Sequence, residues 1–243
     1  MSFFKSEPHK ESIIDFSCLN VDLHSHVIPF IDDGSSSIAE SLEIINEMYY
    51  LGYRKIISTP HIMSDNYENT PEIIGKNLKN LQHALKEAHI HVDIIAAAEY
   101  FADYNFMGIL KTEKLLTFGD NFLLFELPLS NPLLNINEIV FTIRTSGYKP
   151  VLAHPERYIY WHHDFSNFTN LIDREVLFQV NINSFHTKNP YRKMAEKLAK
   201  NNLISFLGSD THSVRNIDIL KESLINKHLI KLLESGNVLN STL

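Results

Sequence analysis

A single cysteine, Cys18, leaves the chain nothing with which to form an internal disulfide, so stability must come from packing, and a reducing compartment fits. Cysteine-nucleophile phosphatase chemistry is excluded too. Such an enzyme places a phosphate-cradling arginine six residues after the nucleophile, and here that position is His24. Glycine is scarce, eight residues in 243, and neither a P-loop nor a dinucleotide-binding glycine pattern occurs. No stretch approaches the roughly 18 apolar residues of a membrane span, and the first ten residues lack the apolar core of a signal peptide. The expectation is a cytoplasmic protein. Lys and Arg form no stripe and the formal net charge is −7, which argues against a nucleic-acid partner. No repeat, low-complexity tract or linker divides the chain. Residues 1–19 are polar and irregular and read as an N-terminal arm, followed by one domain over 20–243.

What is present is a core and an excess of histidine. Hydrophobic residues make up 44% of the chain, enough to bury a large interior, and histidine numbers 13. Short β-rich runs at 21–24, 55–59, 92–97, 121–127, 150–153, 176–181 and 204–207 alternate with helical patterns. Ser37 can cap a helix on which Ile38, Leu42, Ile45 and Tyr49 share a face, and Thr70-Pro71 opens a second. Further helices are expected near 137–145, 190–201 and 218–233, and a loop near 158–168. Such alternation implies parallel strands joined by right-handed crossovers. About seven units suggest a closed or nearly closed α/β barrel, with a doubly wound sheet as the alternative.

The polar residues fall at one end of these strands. Successive strands finish in His24-Ser25-His26, Thr59-Pro60-His61, Ala98-Glu99, Glu126-Leu127-Pro128, His154-Pro155-Glu156-Arg157 and Ser209-Asp210-Thr211-His212. Each has an ordinary reading alone. A single His-x-His is weak, a glutamate after an apolar run commonly starts a solvated loop, and Asp-x-His can form a turn. Six of seven strands doing this at the end where α/β barrels carry their sites is a different matter. Clustered carboxylates also repel unless cations or protons neutralise them, and imidazole with carboxylate suits Zn, Mn or Fe better than Ca or Mg. The remaining histidines carry no such signal: His83, His89 and His91 lie on or after a helix, His9 and His228 lie in polar surroundings, and the spacing of His162, His163 and His186 demands nothing.

Taken in order, Asp22-Leu23-His24-Ser25-His26 with Asp32-Asp33-Gly34, then Thr59-Pro60-His61, Glu99, Glu126-Leu127-Pro128, Ala153 to Tyr158 and Ser209 to His212, the chain resembles the polymerase and histidinol phosphatase (PHP) superfamily. The order is similar to that of its bacterial capsular-polysaccharide tyrosine-phosphatase branch. The resemblance runs from about residue 20 to 215. It implies a distorted (β/α)7 TIM-like barrel and three divalent metal ions, usually manganese, with iron or zinc as alternatives. One ion would be held by His24, His26, Glu99 and Asp210. A second would be held by Glu126 and His154 with Glu99 as a bridge, and a third by Asp33, His61 and His212. Arg157 is similar to the phosphate-binding arginine of the family. Arg215, three residues after His212, is the second catalytic candidate the resemblance implies, although it stands closer to the motif than the second arginine of relatives.

What the resemblance implies is a metal-dependent protein-tyrosine phosphatase that needs no protein nucleophile. Its substrate would be a phosphotyrosine protein, the tail of a bacterial tyrosine kinase controlling capsular or exopolysaccharide synthesis. Tyr158, Tyr160 and Trp161, next to Arg157, are candidate walls for the aromatic ring. Histidinol-phosphate phosphatase is the alternative within the superfamily, and a non-enzymatic metal-binding regulatory domain the alternative outside enzymes. The oligomeric state is left open.

Overall fold

The computed structural model describes residues 15–243, and its strands fall where the apolar runs do. They are β1 (Val21–Leu23), β2 (Lys55–Ser58), β3 (His61–Ile62), β4 (Asp93–Ala96), β5 (Glu99–Phe101), β6 (Phe122–Glu126), β7 (Lys149–Ala153), β8 (Leu177–Asn181) and β9 (Phe206–Gly208). Every pairing between them is parallel, in the orders β1-β2-β4 and β3-β5-β6-β7-β8-β9. β3 and β5, which the sequence pattern does not reveal, are bent continuations of β2 and β4. Pro60 has no N–H to donate, so the ladder breaks there. The backbones nevertheless stay together across the bend, with Ala97 N donating to Ser58 O at 2.9 Å and Glu99 N to Pro60 O at 3.1 Å.

The sheet curls until its outer strands meet. At their carboxyl ends Asp210 N donates to His24 O (2.8 Å), His26 N donates to Thr211 O (2.9 Å), and Ser25 bridges Thr211. Further down the seam the Asn240 side chain is wedged in. It donates to Val21 O and Leu207 O and accepts from Leu207 N. The strands expected to make a closed or nearly closed, distorted (β/α)7 barrel do not form one continuous ladder. The observed structure is a curled parallel α/β sheet in two hydrogen-bonded parts. Gly208 permits the closest approach at the seam, because a Cβ there would stand 2.1 Å from Leu23 O.

Helices α1 (Ile38–Tyr50), α2 (Pro71–Glu87), α3 (Phe106–Thr112), α4 (Ile136–Thr145), α5 (Ser166–Ile172), α6 (Arg192–Lys200), α7 (Val214–Ser223) and α8 (Lys227–Ser235) pack outside the sheet. Ser37 caps α1 by accepting from Glu40 N, and Thr70 caps α2 with Pro71 at its first position, as the sequence suggests. The buried face of α1 is Ser41, Ile44, Ile45 and Met48; Ile38, Leu42 and Tyr49 pack at its edge. The expected helix over 218–233 is two helices. Asn226 starts α8 by accepting from His228 N and Leu229 N, a cap hidden inside a continuing apolar period. Phe16 and Leu19 are fully packed into the core, so the fold reaches into the stretch expected as an arm; residues 1–14, with His9, lie outside the described residues. Among the described residues no helix is long and apolar enough to cross a membrane.

Candidate metal centre

The donors stand at or near the carboxyl ends of the strand paths: His24, His154 and Asp210 lie just past the last residues of β1, β7 and β9, Glu126 ends β6, and His61 and Glu99 open the bent continuations β3 and β5. Three of these positions are conformationally costly. His24 (φ 90°), His154 (φ 33°) and Asp210 (φ 50°) all sit in the left-handed region, at about 1–3 kcal/mol each for residues that are not glycine. The turns aim side chains into the mouth of the curled sheet that a regular strand would send elsewhere.

Nine side chains converge there. Glu99 is at the centre: its Oε2 lies 3.1 Å from His24 Nε2, 3.5 Å from His26 Nε2 and 3.2 Å from His61 Nδ1, and its Oε1 lies 3.0 Å from His154 Nε2. Asp210 Oδ1 stands 3.4 Å from His24 Nε2 and 3.6 Å from His26 Nε2. Glu126 reaches His61 Nδ1 at 3.3 Å and His154 Nε2 at 3.5 Å. At the rim, half-exposed Asp33 lies 3.5 Å from both His61 Nε2 and His212 Nε2. Donor atoms within 4.8 Å of one another form four overlapping sets: His24, His26 and Asp210; His24, Glu99 and His154; His61, Glu99 and Glu126; and His26, Asp33, His61 and His212. The nine residues marked out by the sequence are all present, but the sets share members and His26 joins the rim group.

The electrostatics state what the cluster needs. Burial alone would push His24 down, yet Glu99 and Asp210 overcome it and hold its pKa up to about 10. His61 is likewise lifted against burial, by Glu99 and Glu126, to about 9. Burial would raise Glu99 and Asp210, but the imidazoles hold both well below the usual carboxylate range. Asp33 is drawn down to about 2, chiefly by its bond to His212. Without other cations the carboxylates thus recruit protons onto the histidines. Divalent ions would do the same work, and the donor set fits them. His26 Nε2 and His61 Nδ1 are buried and make no hydrogen bond, although both face carboxylate oxygens. Mixed imidazole and carboxylate donors of this kind suit first-row divalent ions.

Behind the donors lies a layer that sequence reasoning missed. His24 Nδ1 donates to Gln179 Oε1 (2.7 Å), His26 Nδ1 to Asp32 Oδ2 (2.8 Å) and His212 Nδ1 to Asp210 O (3.0 Å). Each bond leaves Nε2 free to face the centre. Asn181 accepts from Gln179 and donates to Asp210 Oδ2 (2.6 Å), linking two donors through one strand. A signal existed. β8 is the one expected strand that ends without His, Asp or Glu, yet Gln179 and Asn181 stand two apart on one face of an apolar run. Adjacent Asp32 and Asp33 divide their labour, the first with a buried side chain that also accepts from His61 N (3.2 Å), the second at the rim.

Comparison with known proteins agrees with this arrangement. Residues 20–221 match the family model described as capsular polysaccharide synthesis, CpsB/CapC. The chain belongs to the CpsB/CapC family. A tyrosine-protein phosphatase CpsB from Streptococcus agalactiae is 28% identical over 209 residues, 82% of this chain and 84% of that protein. The tyrosine-protein phosphatase YwqE of Bacillus subtilis is 27% identical over 198 residues, 80% of this chain and 78% of its own. A solved structure from work on YwqE and on CpsB of Streptococcus pneumoniae, described as metal-dependent tyrosine phosphatases, superposes with TM-score 0.80 at 25% identity, covering 91% of this chain and 94% of that one. Histidinol phosphate phosphatase from Lactococcus lactis shares the fold at 12% identity, TM-score 0.53, over 90% and 93%.

Not every residue singled out in this CpsB/CapC chain reaches the mouth. The donors open into a cleft of about 690 Å³, and Arg157 lines it with NH1 3.4 Å from Asp210 Oδ2. Arg215 does not line it: it is exposed on the first turn of α7, and its neighbour Asn216 faces the cleft instead. Tyr158 and Trp161 are buried and Tyr160 is turned away, its hydroxyl donating to Pro128 O. His162 is bonded to Glu156 O and His186 to Glu222, while His83, His89, His91 and His163 are exposed.

Proposed function

We infer that this chain is a metal-dependent phosphatase that hydrolyses phosphotyrosine on proteins in capsular or exopolysaccharide synthesis. The observation that carries the reading is the cluster of nine metal-donor side chains, seven of which line one cleft with Arg157 while His24 and His26 lie buried behind them, in a chain of the CpsB/CapC family. We read the seven strand paths as a distorted (β/α)7 barrel whose ladder is divided between the β1-β2-β4 and β3-β5-β6-β7-β8-β9 parts and whose β1–β9 seam is drawn together by a few hydrogen bonds.

Three ions are assigned: one on His24, His26, Glu99 and Asp210, one on Glu99, Glu126 and His154, and one on Asp33, His61 and His212. Manganese is the ion the family resemblance implies, and the donors accept iron or zinc as well. Divalent ions bound there would lower the pKa of water towards neutrality and neutralise phosphoryl oxygens. The chain's own residues do the rest. Gln179, Asp32 and the Asp210 carbonyl fix the ring orientations of His24, His26 and His212. Arg157 donates to a non-bridging oxygen and stabilises charge as it develops. A tyrosine leaving group, with its ordinary pKa of about 10, needs less protonation than an alkyl alcohol, so the cleft can work without a strong general acid.

The test is metal analysis of the purified protein with hydrolysis assays of its manganese form. A phosphotyrosine peptide, a phosphoserine peptide and histidinol phosphate are compared at equal concentration. The expected result is about three ions per chain and clear preference for phosphotyrosine. Preference for histidinol phosphate by about tenfold, 1.4 kcal/mol in transition-state terms, would replace the substrate assignment while leaving the metal centre intact. If the reading holds, the phosphorylated tail of a tyrosine kinase is the substrate to try first.

A further inference from the structure

The cleft is chemically divided, and the division follows the order of the strands. Above the ends of β8 and β9 its wall is rich in amides, with Asn181, Asn183, Asn189 and Asn216 beside a single aromatic, Tyr191, and Arg157 extends from the end of β7. Above β3, β5 and β6 the lining includes Met63, Tyr67, Phe101 and Leu129. Resting on the phosphatase reading, we propose that Met63, Tyr67 and Phe101 form the seat for the phenyl ring of the phosphotyrosine substrate.

Two of these side chains are tied to the metal donors themselves. Phe101 lies two residues beyond Glu99 on β5, so both side chains leave the same face of the strand, and in register Phe101 stands beside Glu126. Tyr67 lies over His61, ring centroids 5.5 Å apart and planes 13° from parallel. Its loop is braced: Met63 and Tyr67 exchange backbone hydrogen bonds at 2.9 and 3.0 Å, and Asn69 donates to Ile31 O and His61 O, both at 2.8 Å. The backbone that carries the seat is thus held relative to the centre that takes the phosphate, so little loop ordering remains to be done on binding. Met63, Tyr67 and Phe101 all remain partly exposed in the cleft, leaving apolar surface for an aromatic ring to cover.

The aromatic residues nearer Arg157 in sequence are already committed. The Tyr158 hydroxyl donates to Ala153 O and accepts from Leu127 N in a fully buried position. Trp161 packs edge-on against Tyr158 and Phe168. Neither can meet a substrate without unpacking the β6 and β7 loops.

Binding of phenylphosphonate and methylphosphonate to the manganese-loaded protein, measured by calorimetry, separates ring from phosphate. The wild type should favour the phenyl compound by roughly five- to tenfold, the scale of a well-placed aromatic contact. In Tyr67→Ala and in Phe101→Ala this ratio should fall towards one, with methylphosphonate affinity and metal content unchanged. Tyr67→Phe should restore it. Equal loss of both ligands or of metal in Tyr67→Ala, with Phe101→Ala keeping the wild-type ratio, would make Tyr67 a support for His61 and overturn the seat. So would a wild type that binds the two alike. Hydrolysis of a phosphotyrosine peptide is measured in parallel, so failure of the phosphatase reading registers separately from failure of the seat.

Discussion

Val21, Leu23, Ile57, Ala97, Leu124, Val151, Ala153 and Phe206 line the interior of the sheet and close, with Phe118, into a dry apolar plug. One or two residues further along the same strand paths come His24, Glu99, Glu126 and His154, also buried but ionisable in kind. The plug is low in strain, and each of its seven large side chains is worth about 1.5–3 kcal/mol on burial. The mouth carries three left-handed donors at about 1–3 kcal/mol each and mutually repelling carboxylates. Stability is generated on one side of a single layer of residues and consumed on the other. So dense a cluster of imidazoles and carboxylates is affordable because the strands that present it are anchored directly beneath.

If that division is right, the two regions should fail in different ways. The largest effect is expected at Glu99, which belongs to two donor sets. Glu99→Ala should lose bound metal and reduce phosphatase activity at least about a thousandfold, near 4 kcal/mol, while circular dichroism still reports a folded chain. Activity within tenfold of wild type would break the assignment. The opposite signature is expected below. Phe206, packed edge-on against Phe118 and Phe122, should cost about 3–5 kcal/mol in denaturant unfolding when changed to alanine, with metal stoichiometry preserved. Arg157→Ala should leave both metal and stability alone and lower kcat/KM by about 2–4 kcal/mol; a fall in Tm with activity retained would make Arg157 a brace for its loop. Asp32→Asn, which weakens the acceptor behind His26, should lower metal affinity about 10- to 100-fold in a competition titration. An unchanged affinity would show that the His26 ring is held by packing.

The smallest expected effect is a pH dependence confined to the mouth. In the chelated protein His24 and His61 have folded pKa values raised to about 10 and 9 from an ordinary 6.5. Raised values mean a contribution fully present below pH 6.5 that disappears as pH climbs through 9 to 10. The chelated form should therefore lose Tm over that window, while metal affinity rises as ions displace the protons. A chelated Tm independent of pH from 6.5 to 9.5 would contradict the ion-pair account.

Much of this was legible in the residues. The seven expected strands came out within two residues because each is a short apolar run bounded by turn residues; eight of the clustered side chains stand near such a boundary, while Asp33 was marked only by the family resemblance. Other features left weaker marks. β3 and β5 are two and three residues long, below the length at which alternation can be read. The break at Asn226 sits inside an unbroken apolar period, so only its cap geometry separates α7 from α8. Arg215 was placed near the site by the family resemblance, and the Tyr158–Trp161 group by its closeness to Arg157 along the chain. A helix turn points the first outward, and saturated hydroxyls or ring packing commit the others elsewhere.

By itself the sequence determined the parallel α/β alternation, the end of the sheet that carries the chemistry and the donor types, since local propensity and residue chemistry are written position by position. Only the tertiary structure decided which donors share a site, that Asp32, Gln179 and Asn181 stand behind them, and which aromatic rings face the cleft. Those outcomes depend on the curl of the sheet, which brings Asp210 N to His24 O across 186 positions of chain, and no local pattern encodes a contact made over that separation.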